Sequence, residues 1–372
     1  MPAKSLCIRT ICTKLPAVFL VAIPLSILLS ACSDGVDKTV ATPASTTGPA
    51  PQQADTGPAT VPPATFPIDP NRITVSGISA GGMMAHQLHI AYPDLFSGAA
   101  AIAAGPYGCA DGSLATAMAR CMADDAGGLP VAEFAERILS DAAAGRIGDP
   151  ADLTDDRVWL FHGTNDRLVA AGVNDALADL YADFLPAGQI RYVNDIPAAH
   201  HFPAAGRGHG CDESKPPFVG NCDYDAAGAL LQFLYPGLTT PPETTDPEPA
   251  LREVTLPGAA RAGLRETAYL YVPPACRDTV NTPACGLHLV LHGCAQSSVQ
   301  VDTAFIEQSG YLRWAGMNNL VLAFPQVDVG AANPYACWDW WGYTGAEYRW
   351  RDGAQMALIA GWIRELAGIT TP

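Results

Sequence analysis

Short apolar runs bounded by turn residues alternate along the chain with stretches whose apolar residues recur at helical spacing. The apolar runs predict strands at residues 73–76, 157–161, 190–193, 287–291 and 320–326. The helical spacing predicts helices at residues 83–91, 305–317 and 353–366. This alternation of strands and helices predicts an α/β fold.

The first apolar run, residues 15–31 (LPAVFLVAIPLSILLSA), follows a basic segment and ends in small residues, as in a cleaved signal peptide. A membrane-spanning helix is the alternative, but the run contains prolines and is shorter than the roughly 20 residues of a span. Its end, Leu29–Cys32 (LSAC), resembles the bacterial lipobox, in which the cysteine is acylated. We therefore expect a lipoprotein-type signal peptide at residues 1–31 and lipid on Cys32, with an ordinary secretory signal as the alternative.

Two further stretches are rich in proline and threonine and poor in large apolar residues. Residues 32–67 are expected to form a flexible tether. Residues 236–249 (PGLTTPPETTDPEP) divide the remaining chain, and the usual interpretation would be a boundary between two domains. We expect instead a single catalytic domain over residues 68–368 with residues 236–249 as a joining loop, because the motifs described below are shared between its two parts.

Composition and charge exclude several classes of protein. Apolar residues make up 49% of the chain and charged residues 16%, which indicates a folded core rather than disorder. The net charge of −16, without a cluster of Lys or Arg, repels phosphate backbones and anionic lipids. Nucleic-acid binding is therefore excluded, and membrane contact is expected only through the lipidated amino terminus.

The cysteines predict disulfides. Eight remain once Cys7 and Cys12 leave with the signal peptide and Cys32 carries lipid. Spacing alone does not fix their pairing, but three pairs lie close in sequence and the fourth follows by elimination. The expected bridges, which would pin loops in an oxidising compartment, are Cys109–Cys121, Cys211–Cys222, Cys276–Cys285 and Cys294–Cys337. A zinc site is disfavoured because neither a CxxC pair nor an HExxH motif occurs, and no metal is expected.

A Gly-x-Ser-x-Gly motif, Gly77 to Gly81, lies between the first predicted strand and helix. This is the context in which the motif carries the nucleophile of α/β-hydrolases. The glycines permit a tight turn and a close approach of helix and strand. Ser79 is therefore the expected nucleophile, and an ordinary Gly-rich loop is the alternative.

A nucleophilic serine needs a base and an acid that orients it, in the chain order Ser, Asp, His for this class. The strand at 157–161 runs into HGTND, which makes Asp166 the expected acid and Asp195 its rival. The loop after the strand at 190–193 contains AHHFP. One of its histidines, His200 or His201, is the expected base.

The expected oxyanion loop lies in the second part of the chain. The strand at 287–291 runs into HGCAQS, which resembles the loop that donates a backbone N–H opposite the nucleophile. In other α/β-hydrolases this loop precedes the nucleophile, whereas here it follows the whole triad. The helix at 353–366 would lead, in an uncut hydrolase, into the strand before Ser79. We therefore expect a circularly permuted α/β-hydrolase with one sheet.

Seven ordered segments resemble the circularly permuted, single-domain poly(3-hydroxybutyrate) depolymerases, relatives of feruloyl and acetylxylan esterases: ITVSGISAGGMMAHQLHIAYPDLFSGAAAIAAGPYGC, HGTND, AHHFP, NCDYDAAGALLQFLY, LYVPPAC, HLVLHGCAQS and CWDWWG. The resemblance implies a triad of Ser79, Asp166 and His200. It also implies an oxyanion hole from the backbone N–H groups of Ala80 and Cys294. The implied reaction is hydrolysis of a short-chain polyhydroxyalkanoate through an acyl-enzyme, without a cofactor.

Aromatic residues near two of the cysteines are the expected substrate-binding group. They would line an apolar cleft for a methyl-bearing polyester, although packing in the core is the alternative. The five residues are Trp338, Trp340, Trp341, Tyr107 and Tyr343.

Two other functions compete with this one. A feruloyl or acetyl esterase acting on carbohydrate is disfavoured by the permuted order, and a catalytically dead surface-binding protein by the intact triad. We expect a monomeric enzyme that acts at a polyester surface. It would be exported, and either secreted or lipid-anchored to a bacterial membrane, facing the periplasm or the outside.

Overall fold

The computed structural model describes residues 65–123, 128–242, 251–277 and 284–370. The predicted signal peptide, Cys32 and most of the predicted tether lie outside the described residues, as do residues 243–249 of the predicted joining loop. Within the described ranges, no helix is both long and apolar enough to cross a membrane.

An eight-stranded sheet contains strands from both sides of residues 236–249. In spatial order, with numbers in chain order, its strands are β4 (Ile190–Val193), β3 (Arg157–Phe161), β2 (Gly98–Ile102), β1 (Ile68–Ile78), β10 (Cys285–Leu291), β11 (Leu320–Phe324), β9 (Thr267–Tyr271) and β8 (Leu251–Thr255). The first six strands are parallel to one another, whereas β9 pairs antiparallel with both of its neighbours, β11 and β8. A small parallel sheet holds β5 (Phe202–Ala204), β7 (Val219–Asn221) and β6 (His209–Gly210).

Helices cover both faces of the large sheet. They are α1 (Ala80–Ala91), α2 (Leu114–Arg120), α3 (Val131–Ala143), α4 (Ala171–Ala182), α5 (Ala226–Leu234), α6 (Ser298–Val301), α7 (Ala304–Gln308), α8 (Tyr311–Asn318) and α9 (Ala354–Leu366). Successive residues of a strand point to opposite faces. In β3, accordingly, Val158 and Leu160 join the core that contains α1 and α9, whereas Trp159 and Phe161 join the core that contains α5 and α8.

The predicted α/β class is confirmed, and the predicted strands at 157–161 and 190–193 have the observed bounds. The single helix predicted at 305–317 is wrong, because the chain forms α7 and α8 with a break at Gly310, whose φ is 92°. The predicted tether also ends earlier than residue 67. Phe66 donates a backbone hydrogen bond to Leu366, and Pro67 accepts one from Cys285.

A chain of buried hydrogen bonds accompanies the pairing of β1 with β10, in which Thr74 lies opposite His288. His288 donates from Nδ1 to Thr74 Oγ1 (2.6 Å) and accepts at Nε2 from Ser76 Oγ (2.7 Å). Thr74 in turn donates to the hydroxyl of Tyr235, and the hydroxyls of Ser76 and Tyr311 share a hydrogen bond of 2.7 Å. A neutral imidazole with its proton on Nδ1 satisfies all four of these bonds. Burial accordingly lowers the pKa of His288 to about 3.

This neutral histidine predicts a pH-dependent stability. The folded pKa of about 3 lies below the ordinary value of 6.5, so the unfolded chain binds the proton more tightly. The contribution is complete above about pH 6.5 and is lost as the pH falls toward 3. Between pH 7 and pH 4, the free energy of unfolding of His288→Phe should fall by about 3 kcal/mol less than that of the wild type.

Urea unfolding at each pH measures this difference, with His209→Asn as the control because His209 lies in the small sheet, away from β1 and β10. Equal losses in the wild type and His288→Phe would contradict the account.

Candidate active site

Ser79 lies in the sharp turn between β1 and α1, with φ 56° and ψ −123°. This is a strained conformation for a residue other than glycine. Close backbone contacts leave no room for a side chain at the two neighbouring glycines, Gly77 and Gly81. A Cβ on Gly77 would lie 2.2 Å from the backbone of Gly81, and a Cβ on Gly81 would lie 2.4 Å from the carbonyl oxygens of Leu291 and His292. The predicted glycine roles therefore have a direct steric basis.

The HG loop, residues 292–296, lies against this turn. A Cβ on Gly293 would lie 3.5 Å from Cβ of Ser79. Within the described part of the chain, the backbone N–H groups of Ala80 and Cys294 donate no hydrogen bond. The structure thus brings two unused donors to the two segments that meet at Ser79.

Asp166 and His200 form a hydrogen bond of 2.7 Å between Oδ2 and Nδ1. The other carboxylate oxygen accepts from the backbone N–H groups of Leu168 and Val169. Burial acts to raise the pKa of Asp166, but the hydrogen bonds from His200 and from these N–H groups hold it below its ordinary value. The rival Asp195 is exposed. An ionised Asp166 therefore fixes the His200 ring through Nδ1, and Nε2 of that ring bonds to no described residue.

His201 does not bond to Asp166 and packs against the small sheet. Its Nε2 bonds to the carbonyl oxygen of Cys211 (2.8 Å), and a Cβ on Gly220 would lie 2.1 Å from its ring. The ring thus packs into the small sheet beside the Cys211–Cys222 disulfide. These two sulfurs and His201 lie within metal-binding distance of one another, but a disulfide provides no thiolate ligand. The cluster is structural.

The expected substrate-binding aromatics divide into two groups. Trp338 is 0% exposed, and its indole N–H donates to the carbonyl of His292. Tyr107 is 1% exposed, and its hydroxyl donates to the carboxylate of Asp141. The expectation that they line a cleft is corrected, because their polar atoms are used inside the core. Trp340 is 8% exposed, lines a small cavity with Met83 and has no partner for Nε1 among the described residues.

The other two expected aromatics lie beside Trp340. Trp341 is 9% exposed and contacts Trp340 edge to face, with ring centroids 5.6 Å apart. Tyr343 is partly buried, and its hydroxyl donates to the carbonyl of Cys337 (2.8 Å). Tyr343 is thus the most exposed of the five aromatic residues, and Trp340 and Trp341 lie at the edge of the core.

Asp339 organises the loop of residues 337–344, here called the aromatic loop, and its role was not anticipated from the sequence. It is fully buried, and its carboxylate accepts from the backbone N–H groups of residues 341–344 and from the hydroxyl of Thr344. Aspartate and glycine are both favoured in turns, where the Asp side chain accepts from backbone N–H groups of the residues that follow, and this pairing was the available signal. Asp339 thus fixes the loop that presents Trp340 and Trp341.

All four predicted disulfides are present. Cys294–Cys337 joins the HG loop to the aromatic loop, and Cys211–Cys222 closes the loop after His200. Each of the four bridges joins two cysteines on the same side of residues 236–249.

The sheet and the Ser79 site define the α/β-hydrolase class, and comparison with known proteins places the chain more closely. It is 40% identical over 310 residues to a poly(3-hydroxybutyrate) depolymerase of Delftia acidovorans, covering 82% of this chain but only 62% of that relative's length. It is 33% identical over 316 residues to a polyhydroxybutyrate depolymerase of Talaromyces funiculosus, covering 81% of this chain and 91% of the relative. The chain belongs to the poly(3-hydroxybutyrate) depolymerase family.

Solved structures agree with this placement. The crystal structure of the PHB depolymerase from Penicillium funiculosum matches with a TM-score of 0.76 and 31% identity, over 84% of this chain and 100% of the other. A serine-to-alanine variant of a PHB depolymerase, complexed with an R3HB trimer, matches with a TM-score of 0.76 and 30% identity over the same shares. Comparison with protein-family models gives no match.

The aromatic loop yields a prediction about stability. Asp339→Asn replaces an acceptor-only carboxylate by an amide whose NH₂ group would face backbone N–H donors. We expect the free energy of unfolding to fall by about 3 kcal/mol, because buried donors lose their partner. Asp328→Asn is the control, since one oxygen of that carboxylate accepts only the exposed backbone N–H of Val329. Urea unfolding that gives the same small loss for both variants would contradict the role of Asp339.

Proposed function

We propose that this chain is a serine esterase that hydrolyses the ester bonds of poly(3-hydroxybutyrate), or of a similar short-chain polyhydroxyalkanoate, to oligomers and monomer. The observation that carries the proposal is the meeting of three loops at one edge of the sheet. The strands β1, β3 and β10 are parallel, and they lead into the Ser79 turn, the Asp166 loop and the HG loop. The relatives named for this polymer support the choice of substrate.

The proposed mechanism is acyl transfer through Ser79. His200 removes the hydroxyl proton with Nε2 while Ser79 attacks the ester carbonyl, and Asp166 stabilises the resulting imidazolium. The N–H groups of Ala80 and Cys294 hold the oxyanion. The alcohol end of the polymer leaves with the proton from His200, and water then hydrolyses the acyl-enzyme by the same steps. No metal or organic cofactor takes part.

Substrate contact is assigned to Trp340 and Trp341. Their rings lie at the edge of the core, in the loop that the disulfide Cys294–Cys337 joins to the HG loop. Apolar rings at this position would contact the methyl-bearing backbone of a polyester. Tyr343 lies beside them, with its ring centroid 4.9 Å from that of Trp341.

The domain organisation and location are part of the proposal. Residues 68–368 form one circularly permuted catalytic domain, supported by the pairing of β1 with β10 and by the order of the motifs. The LSAC sequence supports a lipoprotein signal at 1–31 with lipid on Cys32, followed by the tether. Four disulfides fit an exported protein, which we expect to be monomeric.

Replacement of the nucleophile tests the reaction. Ser79→Ala should lower the kcat for p-nitrophenyl butyrate by about 10³-fold or more and abolish clearing of poly(3-hydroxybutyrate) films, because the pocket remains but the nucleophile is lost. Wild-type turnover by this variant would refute the assignment. A wild-type enzyme that cleaves feruloyl esters and leaves the polymer intact would replace the proposed substrate by a plant-wall ester.

The two adjacent histidines supply a matched control. His200→Ala should lose turnover as Ser79→Ala does, whereas His201→Gln should keep most of it, since only His200 bonds to Asp166. The reverse result would transfer the role of base to His201.

A further inference from the structure

Gln296, two residues after Cys294, is buried with 2% of its surface exposed, and its side-chain amide forms three hydrogen bonds to backbone groups. Its Oε1 accepts from the backbone N–H of Gly293 at 2.6 Å. Its Nε2 donates to the carbonyl oxygens of Pro217 and Phe218, each at 2.9 Å. A side-chain amide has two N–H donors and a carbonyl acceptor, so the two donors and the acceptor are matched to three backbone groups.

The bond from the Gly293 N–H to Gln296 helps to determine which backbone N–H of the HG loop has no partner. The N–H of Gly293 is taken by Gln296, that of Ala295 by the carbonyl of Tyr335 and that of Gln296 by the carbonyl of Gly293. Of the four consecutive N–H groups from 293 to 296, only that of Cys294 has no partner among the described residues. The side chain of Gln296 therefore holds the loop in the one arrangement that leaves this donor available.

The other two bonds connect the HG loop to the loop of the base. The carbonyl of Phe218 also accepts from the backbone N–H of Phe202, two residues after His200. Ser214 in the same segment donates from Oγ to the carbonyl of His200 at 2.7 Å. One amide group thus joins the loop carrying Cys294, from the second part of the chain, to the loop carrying His200, from the first part.

We propose that Gln296 is a positioning residue that holds the Cys294 N–H in register with Ser79 and His200. This inference rests on the proposed function, because it concerns the same site. An oxyanion exists in the transition state and not in the bound ester, so a displaced donor lowers kcat with little effect on KM. A shift of about 1 Å in such a group costs up to about 10²-fold in rate.

The test compares Gln296→Met with Gln326→Met. Methionine has a similar volume to glutamine but forms none of the three bonds. Gln326 is a similarly buried glutamine that accepts from the backbone N–H of Ser298, just after the HG loop. Its amide donates to the carbonyl of Phe324 and forms no hydrogen bond with Gly293, Pro217 or Phe218. It controls for the loss of a buried amide near the loop.

We expect Gln296→Met to lower kcat for p-nitrophenyl butyrate by 10- to 100-fold, as estimated from the donor displacement, with KM within about threefold of the wild type. Its affinity for butylboronic acid, which forms a tetrahedral adduct with the serine, should fall by a similar factor. Gln326→Met should keep kcat and boronate affinity within about threefold even where its Tm falls. Gln296→Asn retains the amide on a shorter side chain, so its kcat should fall less than that of Gln296→Met. It takes the place of Gln296→Met in the test if that variant does not fold.

Each outcome decides one part. Equal losses of kcat in Gln296→Met and Gln326→Met, or an effect of Gln296→Met on Tm alone, would overturn the role of Gln296. The proposed function would still stand in that case, provided that Ser79→Ala is inactive. Wild-type turnover by Ser79→Ala would overturn the proposed function and the inference with it.

Discussion

The parallel pairing of β1 with β10 is the interaction on which the rest of the structure depends. It places Gly77 opposite Leu291, so the two strands end at the same level of the sheet. The Ser79 turn follows one strand and the HG loop follows the other. Since Gly81 packs directly on the carbonyl groups at the end of β10, Ser79 and the HG loop meet only while this register is kept.

The loops around the site are then fixed by polar groups and disulfides rather than by further core packing. The carboxylate of Asp339 gathers the N–H groups of the aromatic loop, and the amide of Gln296 joins the HG loop to the loop after His200. The disulfide Cys294–Cys337 links the aromatic loop covalently to the HG loop. Such fully satisfied buried groups favour one arrangement strongly, because any other leaves a donor or acceptor unpaired.

The sequence predicted the parts of this arrangement that have local signals. The strand at 157–161 is a continuous apolar run, and Ser79, Asp166 and His200 stand in recognisable turns after strands. The break at Gly310 was missed because the helical spacing continues on both sides of it. Trp338 and Tyr107 were expected to line an apolar cleft, because the spacing of aromatic residues near a disulfide does not reveal which rings pack inside the core. Gln296 and Asp339 depend on backbone groups that only the fold brings within reach.

The most direct test of the single shared sheet is to cut the folded chain between its two parts. No disulfide among the four joins them, so cleavage at a specific protease site inserted within residues 243–249 would leave the fragments held by noncovalent contacts, the pairing of β1 with β10 among them. We predict that the nicked protein elutes as one particle, unfolds in a single transition and retains esterase activity. Two fragments that separate, and that each unfold cooperatively alone, would contradict the account.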